Sequence, residues 1–312
     1  MDDVFGVILS INTFVAAIRI STPIALAALG GAFSERAGII NIGLEGMILF
    51  GAFGGVLGSF VSGSPWLGVL LAVVMGGILG LVLALLTIEL KADHVVAGVA
   101  LNILSLGATT WLMQVLWGSR GCSPNVNGLS QISFRVIEGI PIVGKLFGTH
   151  SPIVYLMLFL VLAGWVLLFK TPLGLRIRIV GEHPEAADTM GIQIKKIQYL
   201  CVVLSGMLAG LGGAYLSLGH LNAFSMDMSA GRGYMALAAN IFGQWNPFGG
   251  LLASYLFAYT DAVQMRLQGL NIGIANELIQ MLPYILTVLV LAGAVVRSRP
   301  PASLGKHYET NR

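Results

Sequence analysis

The chain alternates long apolar runs with short polar interruptions, and the runs have the length of helices. Ten hydrophobic segments stand out, at about 3–19, 22–33, 40–61, 66–88, 94–117, 152–169, 198–218, 233–244, 249–268 and 278–296. A helix that crosses a bilayer core of ~30 Å needs about 20 apolar residues, and most of these runs approach that length. Segments 22–33 and 233–244 fall short, at about 12 residues each. Pro23 and the polar run Ser34-Glu35-Arg36 bound the first. Gly231-Arg232-Gly233 and Gln244-Trp245-Asn246-Pro247 bound the second. Paired short segments interrupted by Gly or Pro mark broken helices at a transport site; ordinary helices with displaced ends fit the same pattern. The pattern predicts an all-α polytopic membrane protein, with residues 1–312 forming one transmembrane domain. The start, MDDVFGVILSINTF, carries two acids and no basic region, and reads as a retained first helix.

The pattern changes between Lys170 and Lys196, where KTPLGLRIRIVGEHPEAADTMGIQIKK is polar and charged. Within it, Glu182 to Gly191 has the marks of a short helix. Pro184 suits a first helical position, because its missing N–H is not needed there. Glu185 and Asp188 meet the positive end of the helix dipole. Gly191 suits the position just past a C-terminus. The spacing predicts a two-turn helix over 184–190, with Ala186 and Ala187 as a small-residue face and Met190 as a flexible apolar contact. A docking helix for a soluble motor fits this pattern, and so does a solvated loop with a helical turn.

Composition sharpens the class. The chain is 56% hydrophobic and 10% charged, with a mean hydropathy of +0.86, whereas soluble domains carry about 25% charged residues. No room remains for a separate soluble domain. The 41 glycines exceed the usual ~7% and suit a bundle with close or broken helices. The net charge of +3 includes no basic patch with interleaved aromatics, which argues against nucleic-acid binding. Cys122 and Cys201 form no metal or disulfide pattern.

Lys and Arg in short loops set the orientation. A cytoplasmic 170–197 loop places ten of these residues inside: Lys91, Lys170, Arg176, Arg178, Lys195, Lys196, Arg297, Arg299, Lys306 and Arg312. Four remain outside: Arg120, Arg135, Lys145 and Arg232. Both termini then lie inside, 118–151 is the external loop, and 297–312 is a cytoplasmic tail. Trp66, Trp117 and Trp245 fall at segment ends, where interfacial aromatics are expected.

Polar residues inside apolar segments face other helices or water, because exposure to lipid costs about 2.5–3.5 kcal/mol for a charged group. Asn41, Glu45, Asn102 and Asn240 are the candidate lining of a substrate pathway. Neutral amides offer the donors and acceptors that a sugar or nucleoside requires. Interhelical hydrogen bonds account for the same residues, and Glu45 also fits an ion pair with Arg36 or Arg19. Glu35-Arg36 reads either as a gate pair or as a cytoplasmic turn. Trp111 fits base stacking or packing. Asp261 is left without a role.

Covalent chemistry has no support. Neither H-E-x-x-H nor G-x-S-x-G occurs, and the five histidines are scattered. There is no G-x-x-x-x-G-K-[ST] phosphate loop, so any ATP that drives transport binds to another polypeptide.

Two stretches carry a family resemblance. GEHPEAADTMGI resembles the cytoplasmic loop of ABC-type importer permeases, with His183 where those usually have Asn. FSERAGIINIGLEG (Phe33–Gly46) resembles the signature of permease subunits of bacterial nucleoside and simple-sugar ABC importers, within the branched-chain amino acid/ribose-type superfamily. DHVVAGVALN and GRGYMALAANIFGQWNPFGG are also similar to it. The resemblance implies a non-catalytic permease of the bacterial inner membrane that moves a nucleoside. Its alternatives are a monosaccharide permease and an ion-coupled carrier. It implies an ABC ATPase that binds ATP and magnesium, a second permease in a heterodimer, and a periplasmic or lipoprotein substrate-binding protein, with no cofactor in this chain. Glu182, His183, Pro184, Glu185, Ala186, Ala187, Met190 and Gly191 would then form the ATPase coupling element.

Overall fold

A computed structural model describes residues 10–133, 148–269 and 299–308, together with isolated positions 6, 146, 278, 281, 285 and 288. Ten helices are seen among them: α1 Ile11–Arg36, α2 Leu44–Ser62, α3 Pro65–Ala84, α4 His94–Trp117, α5 Pro152–Lys170, α6 Pro172–Glu182, α7 Pro184–Thr189, α8 Ile194–Ala214, α9 Arg232–Phe242 and α10 Pro247–Gln268. π-helical turns extend α3 through Leu85–Glu89 and α8 through Tyr215–Leu221. A two-residue ribbon, β1 (Ile132–Ser133) with β2 (Thr149–His150), is the only sheet among the described residues. Most of the tenth hydrophobic segment, most of the first before Ser10, and Arg135, Lys145, Arg297 and Arg312 lie outside the described residues.

Among the described residues, six helices are long and apolar enough to cross a membrane: α1, α2, α3 with its π turn, α4, α5 and α8 with its π turn. The chain is therefore a polytopic helical membrane protein. Segment 22–33 is not a separate short helix. It is the second half of α1, which runs 26 residues through Pro23. Proline removes one backbone donor, the one that would reach the Arg19 carbonyl, and a helix packed among others in a membrane tolerates that loss. Ser21 and Thr22 both donate to the Ile18 carbonyl, at 2.9 Å each.

α8 forms the centre, packed against α1, α2 and α3. The approach to α3 is close: a Cβ on Gly76 would meet the Gly206 carbonyl at 2.2 Å, and one on Gly206 would meet the Gly76 carbonyl at 2.3 Å. Only glycine permits such backbone contact, and small residues at these crossings replace the hydrophobic drive that lipid removes.

The ends of the bundle differ. At one, residues 121–129 run along 218–226, with Ser123 N–H donating to Phe224, Val126 to Asn222 and Leu129 to Leu218. At the other lie the 37–43 turn, α6, α7 and the tail. The tail is bound there by Ser303 N–H to Gly181 and Gly305 N–H to Gly38, both 2.9 Å. Trp245, expected at an interface, is buried. Trp66 is exposed, and Trp117 packs on Phe53 and Phe60.

Candidate functional site

The short helix α9 is held by charged and amide side chains of three other helices, α1, α2 and α4. Its N-cap, Gly231, is left-handed (φ 82°) and has no side chain to cap the helix. α2 supplies the cap. Glu45 accepts from Gly231 N–H at 2.8 Å and from Gly233 N–H at 2.6 Å. A carboxylate on unpaired N-terminal N–H groups satisfies them and meets the positive end of the dipole. Glu45 pairs with neither Arg36 nor Arg19 in ion-pair contact. Its basic neighbour is Arg232, which also feels Asp261, so Asp261 acquires a place beside this cluster.

α2 is capped in turn by α4. Asn102 Oδ1 accepts from Gly46 N–H at 2.8 Å, and its amide donates to the Ile42 carbonyl and to Tyr234 Oη, both at 3.0 Å. Glu45 and Asn102 thus meet at the start of α9.

The far end of α9 is held by α1. Gln244 and Trp245 adopt left-handed backbone, each with φ 53°, and leave their carbonyls turned outward. Arg36 donates to the Trp245 carbonyl at 3.1 Å and to the Gln244 carbonyl at 3.2 Å. A cation at a C-terminal end complements the dipole there. Glu35, buried beside it, accepts from Asn240 Nδ2 at 3.1 Å and from the indole N–H of Trp245. Adjacent residues of opposite sign therefore divide the work, Arg36 on backbone carbonyls and Glu35 on side-chain donors.

Of the four candidate pathway residues, Asn240 lies on α9 and Glu45 and Asn102 bond to it. The fourth, Asn41, lies apart, donating to Ser205 Oγ on α8 at 2.9 Å. Asn41 Oδ1 and Asn240 Oδ1 are buried acceptors that receive no hydrogen bond. Leaving such an atom unsatisfied costs about 1–3 kcal/mol. Trp111 is exposed on α4 and lies on none of these contacts. Sequence reading left Glu35 and Arg36 between two roles and assigned Trp245 to an interface. The available signal was the ion-bearing Ser34-Glu35-Arg36 run and the polar Gln244-Trp245-Asn246, each closing a short apolar segment.

α7 follows the expected local chemistry. Pro184 is at its first position, Met190 is the C-cap, and Gly191 has φ 75°. The end is closed by Gly191 N–H to Asp188 at 2.9 Å and Ile192 N–H to Ala187 at 3.0 Å. His183 provides no side-chain cap, but its backbone joins α6 to α7. The small-residue face differs from expectation. Ala187 is fully buried in the protein's own core, whereas His183, Glu185, Ala186, Thr189 and Met190 are exposed. A six-residue helix needs one anchored side to hold its position, and Ala187 is that side.

Residues 13–291 match the family described as "Branched-chain amino acid transport system / permease component". The guanosine ABC transporter permease protein NupQ of Bacillus subtilis (strain 168) is 39% identical, covering 94% of this chain and 95% of NupQ. The nucleoside ABC transporter permease protein NupC of Lactococcus lactis subsp. cremoris is 37% identical over 92% of this chain and 93% of NupC. TsgC13 of Haloferax volcanii, provisionally named a glucose ABC transporter permease, is 38% identical over 91% of both. With six membrane-length helices and a family match across most of its length, the chain belongs to the branched-chain amino acid transport system permease family, as a multi-pass protein of the plasma membrane.

Proposed function

We propose that the chain is the translocating subunit of an ABC importer for nucleosides, with ATP hydrolysed by a separate subunit. Its similarity to NupQ and NupC across more than nine-tenths of the chain carries this reading. In it, the end that carries α6, α7 and the tail faces the cytoplasm, as the excess of Lys and Arg there favours. The exposed side of α7, Glu185, Ala186, Thr189 and Met190, docks on the ATPase. Ala187 and the bonds around His183 and Gly191 pass the displacement into α6 and α8. A second permease completes the translocation path, and a binding protein delivers substrate to the opposite face.

The substrate path runs beside α9. The unpaired carbonyl oxygens of Asn240, on α9, and of Asn41, which lies apart against α8, suit the hydroxyls and ring N–H groups of a nucleoside. Glu45, Asn102, Glu35 and Arg36 fix the helix along which it moves. This chain performs no covalent step.

The test is uptake by the complex reconstituted in proteoliposomes. Guanosine or another nucleoside should enter only with ATP inside and the binding protein outside. Uptake driven by a proton or sodium gradient without the ATPase would overturn the reading. The similarity to TsgC13 favours a second substrate, a monosaccharide. Glucose uptake with no nucleoside uptake would replace the first with the second.

A further inference from the structure

Pro184 starts α7, and it also leaves the end of α6 unfinished. The Val180 carbonyl would accept from the amide four residues on, but that residue is Pro184, which has no N–H. The donors come instead from the tail. The Ser303 hydroxyl donates to the Val180 carbonyl at 3.3 Å and to the Gly181 carbonyl, and Ser303 N–H donates to Gly181 at 2.9 Å. Ala302 N–H donates to the Glu182 carboxylate at 3.1 Å. Tyr308 Oη donates to Asp188 of α7 at 3.3 Å.

The other side of the same tail segment holds the turn after α1. Gly305 N–H donates to the Gly38 carbonyl at 2.9 Å. A Cβ on Gly38 would meet the Ser303 hydroxyl at 3.3 Å. Gly305 is left-handed, with φ 76°, and lies against Ile40. Leu304 N–H to Pro301 and Lys306 N–H to Ser303, both 3.1 Å, close two turns that give the segment its shape.

α6 and the turn after α1 also meet directly. A Cβ on Gly181 would meet the Arg36 carbonyl at 2.1 Å, so the two backbones touch. Both surfaces present carbonyls there, Val180 and Gly181 on one side, Arg36 and Gly38 on the other. Carbonyls only accept, so they cannot bond one another. Residues 302–305 bring the donors that join them. The joint has a definite place in the molecule. Residues 37–43 connect Arg36, which holds the end of α9, to α2, whose Glu45 caps its start.

We propose that residues 302–305 are a staple in the coupling path: Ser303 and Gly305 fasten α6 to the 37–43 turn, so that a displacement received at α7 reaches both brackets of α9. Packed backbones without bonds across them slide past one another, and a sliding joint does not pass the displacement on. Ser303 is thus a positioning residue that acts through α6 and the turn. The inference rests on the reading of α7 as the ATPase contact.

The test uses the full chain in the reconstituted complex. It reads ATPase association, ATP hydrolysis, and nucleoside taken up per ATP hydrolysed. Ser303→Asp with Gly305→Val sets a carboxylate against the α6 carbonyls and a β-branched side chain at a left-handed position. Faster hydrogen exchange in 301–308 should show the segment freed. Association and hydrolysis should hold, while uptake per ATP falls about fivefold, the lower end of coupling between separate sites. Ser303→Ala keeps the backbone bonds and should lose less, with an unchanged melting temperature. Ser303→Thr keeps the hydroxyl and should transport at the unsubstituted level. A merely structural staple would lower association, hydrolysis and uptake together, and that result overturns the proposal. So does unchanged uptake per ATP in the freed variant. Glu185→Arg with Met190→Asp separates the two readings. If that variant assembles and transports normally, the reading of α7 falls and takes the staple with it. If it fails to assemble while the freed variant transports normally, the staple alone falls.

Discussion

α7 and α9 are both short helices bounded by proline or glycine, yet they are held in opposite ways. α9 is pinned at both ends by charged side chains from neighbouring spans, Glu45 at its start and Arg36 with Glu35 at its end. α7 is held by backbone bonds, a left-handed glycine and one buried alanine, and turns the rest of its surface outward. In an apolar interior, the unpaired ends of a short helix must find partners within the protein. At an aqueous surface, water satisfies them. Placement therefore decides which helix becomes a braced interior element and which presents a face.

The comparison can be broken first at Glu45. Glu45→Ala removes the acceptor of the Gly231 and Gly233 N–H groups; at about 1–3 kcal/mol for each donor left unsatisfied, it should destabilise the protein by about 4 kcal/mol, read by unfolding in detergent. A loss under about 1 kcal/mol would show that α9 does not depend on its brackets. At the other end, Trp245→Phe keeps the ring but removes the donor to Glu35. It should cost about 2–3 kcal/mol, the range for hydrogen bonds to charged groups.

α7 should respond less. Ala187→Leu overfills a buried site and should cost about 1–2 kcal/mol, whereas Ala186→Leu, on the exposed side, should stay within about 0.5 kcal/mol. Equal effects would remove the distinction between the two faces. Gly191→Ala forces a left-handed backbone on a residue with a Cβ and should cost about 1 kcal/mol, measured as a melting-temperature shift.

The two helices were also unequally legible in the sequence. α7 could be bounded nearly to the residue because its determinants are local: Pro184 at the first position and Gly191 past the end. Which alanine faces inward was not local, since it depends on the core that α6, α7 and α8 form together. α9 was recognised as short, but its brackets come from residues about 190 to 210 positions away, which no pattern of spacing reveals. Pro23 misled because proline ends helices in water, while a helix packed against its neighbours in a bundle tolerates one lost bond. α6 was missed for a related reason: eleven residues with mixed charge and apolar positions look like a loop until something packs against them.

The central claim is that α7 is a presented surface through which a partner ATPase acts. Its direct test is the double variant Glu185→Arg with Met190→Asp, two exposed positions whose change should move the stability of the isolated chain by no more than about 0.5 kcal/mol. In the reconstituted complex the same variant should lose ATPase association and ATP-driven nucleoside uptake. Assembly and uptake at the unsubstituted level would contradict the claim.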